Sequence, residues 1–154
     1  MDLLQTKIKE WRSNPIAFVD DMLRNPDGSS YGRRLDPWQR EDLETALNTT
    51  QNVWWERPRG HDKTGQAGAL ALTQLMLGGT GQRNYFTATD SDQAGLAFDS
   101  LQGFINKNPL LREEIKVNRR EVIVPELDNQ LMVLPADAAG SWGLRPSLIV
   151  IDEL

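Results

Sequence analysis

Apolar positions in the first third of the chain recur at three- and four-residue intervals. Further along, helical stretches alternate with short apolar runs. Leu3, Leu4, Ile8 and Trp11 fit one helix face. Asn14 as N-cap, followed by Pro15, marks a second helix start, with Phe18, Val19, Met22 and Leu23 as its apolar face. Residues 25–30, Asn-Pro-Asp-Gly-Ser-Ser, are a loop by composition. Asp36-Pro37-Trp38-Gln39 reads as a capping box that opens a third helix running to about Leu47.

Beyond Asn48 the pattern changes. Asn52-Val53-Trp54-Trp55-Glu56 is a short strand candidate, followed by the breaker-rich Arg57-Pro58-Arg59-Gly60. Lys63 to Leu77 is helical and apolar on most faces, as in a helix packed on a sheet, and Gly78-Gly79-Thr80-Gly81 ends it. Residues 84–89 read as a strand. Ser91 can cap a helix whose apolar positions include Ala94, Phe98, Leu101 and Ile105, closed by Asn108-Pro109. Residues 121–124 and 130–134 look like strands joined by a turn near Asp128-Asn129. Ser147 to Ile151 is a short continuous apolar run, the form of a strand buried on both faces of a parallel sheet. The alternation predicts an α/β fold with a mainly parallel sheet flanked by helices. Residues 1–50 form a helical region and 51–154 the core proper. The chain has no internal repeat and no low-complexity segment.

Composition narrows the chemistry. The 154 residues carry 39% hydrophobic and 25% charged side chains, ordinary for a globular domain with one core. No apolar run reaches the ~18 residues of a membrane span, so no membrane partner is expected. With no cysteine there is no disulfide framework or thiolate metal site, and the one histidine, His61, leaves little scope for a zinc centre or a Ser-His-Asp triad. The net charge of −5 argues against a simple DNA-binding module, because phosphate contacts come from Lys and Arg.

Arg57-Pro58-Arg59-Gly60-His61-Asp62-Lys63-Thr64 sits between a strand candidate and a helix. In that context backbone N–H groups and a helix N-terminus can surround phosphates. Lys63 fits the residue that reaches the β- and γ-phosphates, and Thr64 the hydroxyl that ligates Mg²⁺. Against G-x-x-x-x-G-K-[ST], Arg57 and Asp62 replace the two glycines. Gly60 restores backbone freedom at a different position. Asp tolerates a left-handed conformation, but a carboxylate beside a triphosphate is unfavourable. The bland alternative is a polar loop that ends in Lys-Thr.

Leu148-Ile149-Val150-Ile151-Asp152-Glu153 has the form of a Walker B strand, which delivers two carboxylates at its C-terminal tip, where open α/β sheets bind ligands. Asp152 would hold the Mg²⁺ shell and Glu153 would polarise the attacking water. Alone, the segment could equally be a strand ending in solvated acids. The two motifs in this order imply nucleotide binding more strongly than either does.

Further segments resemble one family, the large subunit of tailed-phage terminases. Phe18 to Leu23 and Leu35-Asp36-Pro37-Trp38-Gln39 look like its N-terminal region, and its adenine-reading glutamine would match Gln39. Pro58-Arg59-Gly60-x-x-Lys63-Thr64 is similar to its variant phosphate loop, so Arg59, Gly60, His61, Asp62, Lys63 and Thr64 would line the nucleotide. Residues 87–94 resemble its second strand and following turn. Residues 137–146 resemble the approach to its Walker B strand, and Gly143-Leu144-Arg145-Pro146 leading to Ile151-Asp152-Glu153-Leu154 is the most specific piece. The resemblance implies a P-loop motor that hydrolyses ATP with Mg²⁺ to drive double-stranded DNA into a prohead. It also implies a ring docked on a portal protein, a small terminase subunit as partner, and the host cytoplasm as location.

Arg59 could contact the γ-phosphate from the same subunit, and Arg145 could reach a neighbour's nucleotide; either could equally be a loop arginine. Trp38 is expected in the core more than against a base. Asp90 and Gln93 are expected to cap a helix. Because the family continues with further ATPase strands and a nuclease domain, the sheet is expected to stop after the Walker B strand and to show an open edge. A helicase-like translocase shares the same motif order, and Asp62 leaves room for a nucleotide-binding remnant without hydrolysis.

Overall fold

A computed structural model describes residues 3–137 and 145–153. Three helices come first among the described residues: α1 (Leu3–Ser13), α2 (Pro15–Met22) and α3 (Pro37–Leu47). Asn14 precedes α2 without a side-chain capping bond, and Pro15 supplies its first turn. The predicted stripe of α2 is fully used: Phe18, Val19, Met22 and Leu23 are all buried. Trp11 of α1 packs edge-on against Phe18, while its indole N–H donates to Asp21 at 2.9 Å. Arg40 of α3 grips both oxygens of Asp20 at 2.6 and 2.7 Å and also donates to the Gly32 carbonyl. A planar fork meeting a carboxylate in this way fixes α3 against α2 with little residual freedom.

Next come α4 (Lys63–Leu77), β1 (Arg83–Ala88), α5 (Ser91–Lys107), α6 (Pro109–Glu114), β2 (Lys116–Asn118), β3 (Glu121–Val124), β4 (Asn129–Pro135) and β5 (Leu148–Asp152). The sheet order is β2-β3-β4-β1-β5. Strand β1 pairs parallel with both β4 and β5, whereas β3 runs antiparallel to β4 and to β2. The sheet is therefore mixed and mostly parallel, since β3 alone opposes the other strands.

One core joins the parts. Phe86 of β1, Leu131 and Val133 of β4 and Val122 of β3 share it with Leu72 and Leu75 of α4, Leu101 and Ile105 of α5, and Phe18 and Leu23 from the N-terminal helices. Small residues let α4 come close, with Gly68, Ala69 and Ala71 buried along its length. Asn129 pins the far end of α4: its amide donates to the carbonyls of Leu75 and Gly79 and accepts from the Gln82 N–H. A buried amide satisfied three times over is a strong constraint on the turn that leads into β1.

Several expectations need correction. Residues 52–56 do not join the sheet: no strand forms there, and Val53 and Trp54 are exposed. A strand requires a neighbouring edge for its backbone groups, and none of the described strands pairs with this segment. Strand β5 is not buried on both faces. Ile149 and Ile151 are 41% and 56% exposed, while Leu148 and Val150 pack against the core from the other face. Among the described strands β5 pairs only with β1, which leaves its outer edge open. Asn108 closes α5 but also begins α6, its side chain accepting from the Leu110 N–H. Strand β2 lacks a sequence prediction because three residues are too few to show a period. The β3–β4 connection is a 3-10 turn over Pro125–Leu127, with Asp128 at φ 53°. No helix among the described residues is long and apolar enough to cross a membrane. The predicted Gly143-Leu144 approach to β5 lies outside the described residues, as does Leu154.

Candidate functional site

The N-terminus of α4 has no side-chain capping bond and carries the positive end of the helix dipole. Just before it, Gly60 has φ 85°, and Asp62 adopts φ 53°, ψ 37°, the left-handed conformation of the glycine it replaces. Asp is among the few side chains that take this conformation at modest cost. The loop therefore holds two left-handed residues, one of them not a glycine, just before the helix.

Three predicted residues from distant positions meet here. Thr64 donates its hydroxyl to Asp152 Oδ2 at 2.7 Å, and Lys63 Nζ lies 3.8 Å from Asp152 Oδ1. Strand alternation places Asp152 on the face that carries Leu148 and Val150, toward α4, so its carboxylate is buried while Ile151 is exposed. A carboxylate at that depth needs partners, and the ammonium and hydroxyl provide them. Cation, hydroxyl and carboxylate thus converge beside a helix N-terminus. Such a set suits an anionic phosphate together with a hard cation. Glu153 follows directly, exposed and at φ 63°. A left-handed glutamate is an uncommon backbone state.

The loop's other end is stapled rather than open. The Arg57 side chain is 2% exposed, pairs with Asp42 of α3 at 2.9 Å and lies over the rings of Trp38 and Trp55, 5.0 and 4.8 Å from their centroids. Its guanidinium also donates to Gln66 of α4, and the Gln66 amide in turn donates to the Gln39 carbonyl. Gln39 is buried with both ends of its side chain engaged. The oxygen accepts from the Asp36 N–H at 3.0 Å, completing that half of the capping box, and the amide donates to the His61 carbonyl at 3.2 Å. His61 rests edge-on at 5.7 Å from Trp38. Trp38 is 41% exposed, not a core residue as expected, because its ring forms a lid on Arg57 instead of entering the helix interface.

The remaining predicted residues are more scattered. Arg59 projects from the loop and Arg145 precedes β5; both are exposed. Asp90 caps α5, accepting from the Gln93 N–H at 2.9 Å. Sequence reasoning missed Arg57, Gln66 and Tyr31. A polar Gln66 amid the small apolar residues of α4 is a signal for a buried contact. Tyr31, which donates to Asp62 at 2.5 Å, has no local signature at all. Burial, reinforced by the Asp62 charge, pushes the Tyr31 phenol well above its ordinary range, so it remains a donor at any working pH.

Comparison with known proteins bears on this geometry. A family model for the terminase large subunit ATPase domain matches residues 47–154. Among solved structures, the fold is similar to the HK97 bacteriophage large terminase, with a TM-score of 0.79 and 23% sequence identity over 92% of this chain and 31% of that one. The chain spans about a third of the length of that terminase. No curated protein matches the sequence.

Proposed function

The chain belongs to the terminase large subunit ATPase family, and from that premise we propose that it binds Mg-ATP at the α4 N-terminus and serves the hydrolytic step of a DNA-packaging motor. The observation that carries this reading is the meeting of Lys63, Thr64 and Asp152 across 88 residues of sequence. Lys63 neutralises the β- and γ-phosphates while the N–H groups of residues 60–64 line them. Asp152 and Thr64 offer hard oxygen ligands, a donor set that fits Mg²⁺. No cluster of three or more acidic, His or Cys ligands occurs among the described residues, and Mg²⁺ bound largely by phosphates and water needs none. When bound, the ion neutralises charge on the phosphate oxygens. Glu153 orients the attacking water, and Arg59 and Arg145 are the candidates to steady charge on the phosphoryl group, in cis and toward a neighbouring subunit respectively. Gln39 reads the adenine through whatever bonding capacity its two protein contacts leave free.

For the parent protein, we extend the reading to double-stranded DNA as cargo, a ring of subunits, and the portal and small terminase subunit as partners. The test is titration of this chain with a Mg-ATP analogue beside Lys63→Ala. Affinity is expected to fall by about 100-fold, as for loss of a charge-assisted phosphate contact. Equal affinity in the two proteins would remove the phosphate-loop assignment.

A further inference from the structure

Asp62, the residue before Lys63, puts a carboxylate where a bound triphosphate would lie closest to the backbone. The structure shows where that carboxylate goes. Tyr31, from the segment between α2 and α3, donates its hydroxyl to Asp62 Oδ2 at 2.5 Å. Its ring is buried and held edge-on by Phe104 of α5 at 4.9 Å, so the donor has little freedom to move. On the other side the Asp62 carboxylate lies directly over Gly65, so close that any Cβ there would collide with it. Asp62, Gly65 and Tyr31 line one recess of about 430 Å³ against Ser100 and Phe104 of α5. Lys63, Thr64 and Asp152 take no part in that recess. They converge instead on Asp152 at the end of β5.

We propose that Tyr31 is a positioning residue whose hydroxyl, with Gly65 as the space-maker, latches the Asp62 carboxylate on the α5 side of the loop and keeps it from the phosphates. The latch rests on the nucleotide-binding reading for its purpose, but its geometry does not. Burial, with the Asp62 charge, favours the protonated phenol, which is the form that donates. Gly65 also has a cost that the latch explains: glycine in a helical turn is about 0.5–1 kcal/mol less favourable than alanine.

The test compares wild type, Tyr31→Phe, Asp62→Asn and the double variant for binding of a Mg-ATP analogue. Tyr31→Phe keeps the ring and its Phe104 contact while removing the donor. It should weaken binding roughly five- to tenfold, as a freed carboxylate swings toward the phosphates. Adding Asp62→Asn should restore affinity to that of Asp62→Asn alone, because the harm comes from the charge. Unchanged affinity in Tyr31→Phe overturns the latch, and so does a loss that Asp62→Asn fails to rescue, which would mark Tyr31 as merely structural. A nucleotide-free readout separates this outcome from failure of the ATP reading. Backbone amide and Asp62 carboxyl resonances of residues 60–65 should shift in Tyr31→Phe and in Gly65→Ala alike. If they stay in place, the latch is absent even where Lys63→Ala still abolishes binding; if they shift while wild type binds no nucleotide, the latch stands and the ATP reading falls.

Discussion

Two aspartates flank the N-terminus of α4, and they are held in opposite ways. Asp152 arrives on a strand, is buried, and faces a lysine and a threonine hydroxyl. Asp62 sits in the loop itself, exposed, with a left-handed backbone, and accepts a hydrogen bond from a buried tyrosine. The residue type is the same, but its meaning is set by the partners its oxygen atoms meet. On the proposed reading, one carboxylate would meet a bound cation and the other is held aside by the tyrosine. Reading either as simply acidic would miss the difference.

That contrast predicts changes of opposite sign. Asp152→Asn should cause the largest effect, lowering the affinity for a Mg-ATP analogue about 100-fold in the presence of Mg²⁺ and abolishing the dependence on Mg²⁺. Calorimetric titration with and without the ion checks it. Asp62→Asn, by contrast, should leave the Mg²⁺ dependence intact. If both asparagines weaken binding alike, the two carboxylates do the same work and the comparison breaks.

Next in size is the support of the loop. Arg57→Ala removes a buried guanidinium from Asp42, Gln66 and two tryptophan faces, and should cost about 2–3 kcal/mol in urea denaturation. A loss below ~0.5 kcal/mol would mean that the loop is positioned by its α4 end alone.

Alkaline pH isolates the Tyr31 side. The folded phenol titrates above the unfolded value of about 10, so its contribution to stability is complete below pH 10 and is lost as pH rises beyond it. Wild type should therefore lose up to ~1.4 kcal/mol per pH unit more than Tyr31→Phe above that point. Urea midpoints at about pH 8 and pH 11 decide it, and parallel slopes in the two proteins would show that the phenol is not held as described.

The smallest expected change is the gain from Asp62→Asn. Removing a charge already held aside should improve nucleotide affinity only about two- to threefold, because solvent screens an exposed carboxylate. A gain of a hundredfold would show that the latch fails in solution.

Much of this arrangement was legible beforehand where the signal is local. Helix α4 begins and ends where Lys63 and the Gly78-Gly79 pair predict, and α3 runs from the Asp36 box to Leu47. Propensity, capping and breaker residues act over one or two turns, so a short window contains the cause. Residues 52–56 show the converse. Their composition is that of a strand, yet a strand is a relation between two chains of backbone groups, and no described neighbour supplies the second. The same reason misled the reading of β5, whose unbroken apolar run predicts burial on both faces and meets it on one.

The sequence by itself determined the helix that opens with Lys63 and Thr64 and the strand that ends in Asp152, because helix start, apolar run and side-chain chemistry are all properties of neighbouring residues. Only the tertiary structure decided that Thr64 and Asp152 touch, that Arg57 is a buried staple, and that Asp62 accepts from Tyr31. Each of those facts depends on the side of a strand or helix that a distant element covers. Contacts between remote segments arise from packing the whole core, and no stretch of neighbouring residues contains that information.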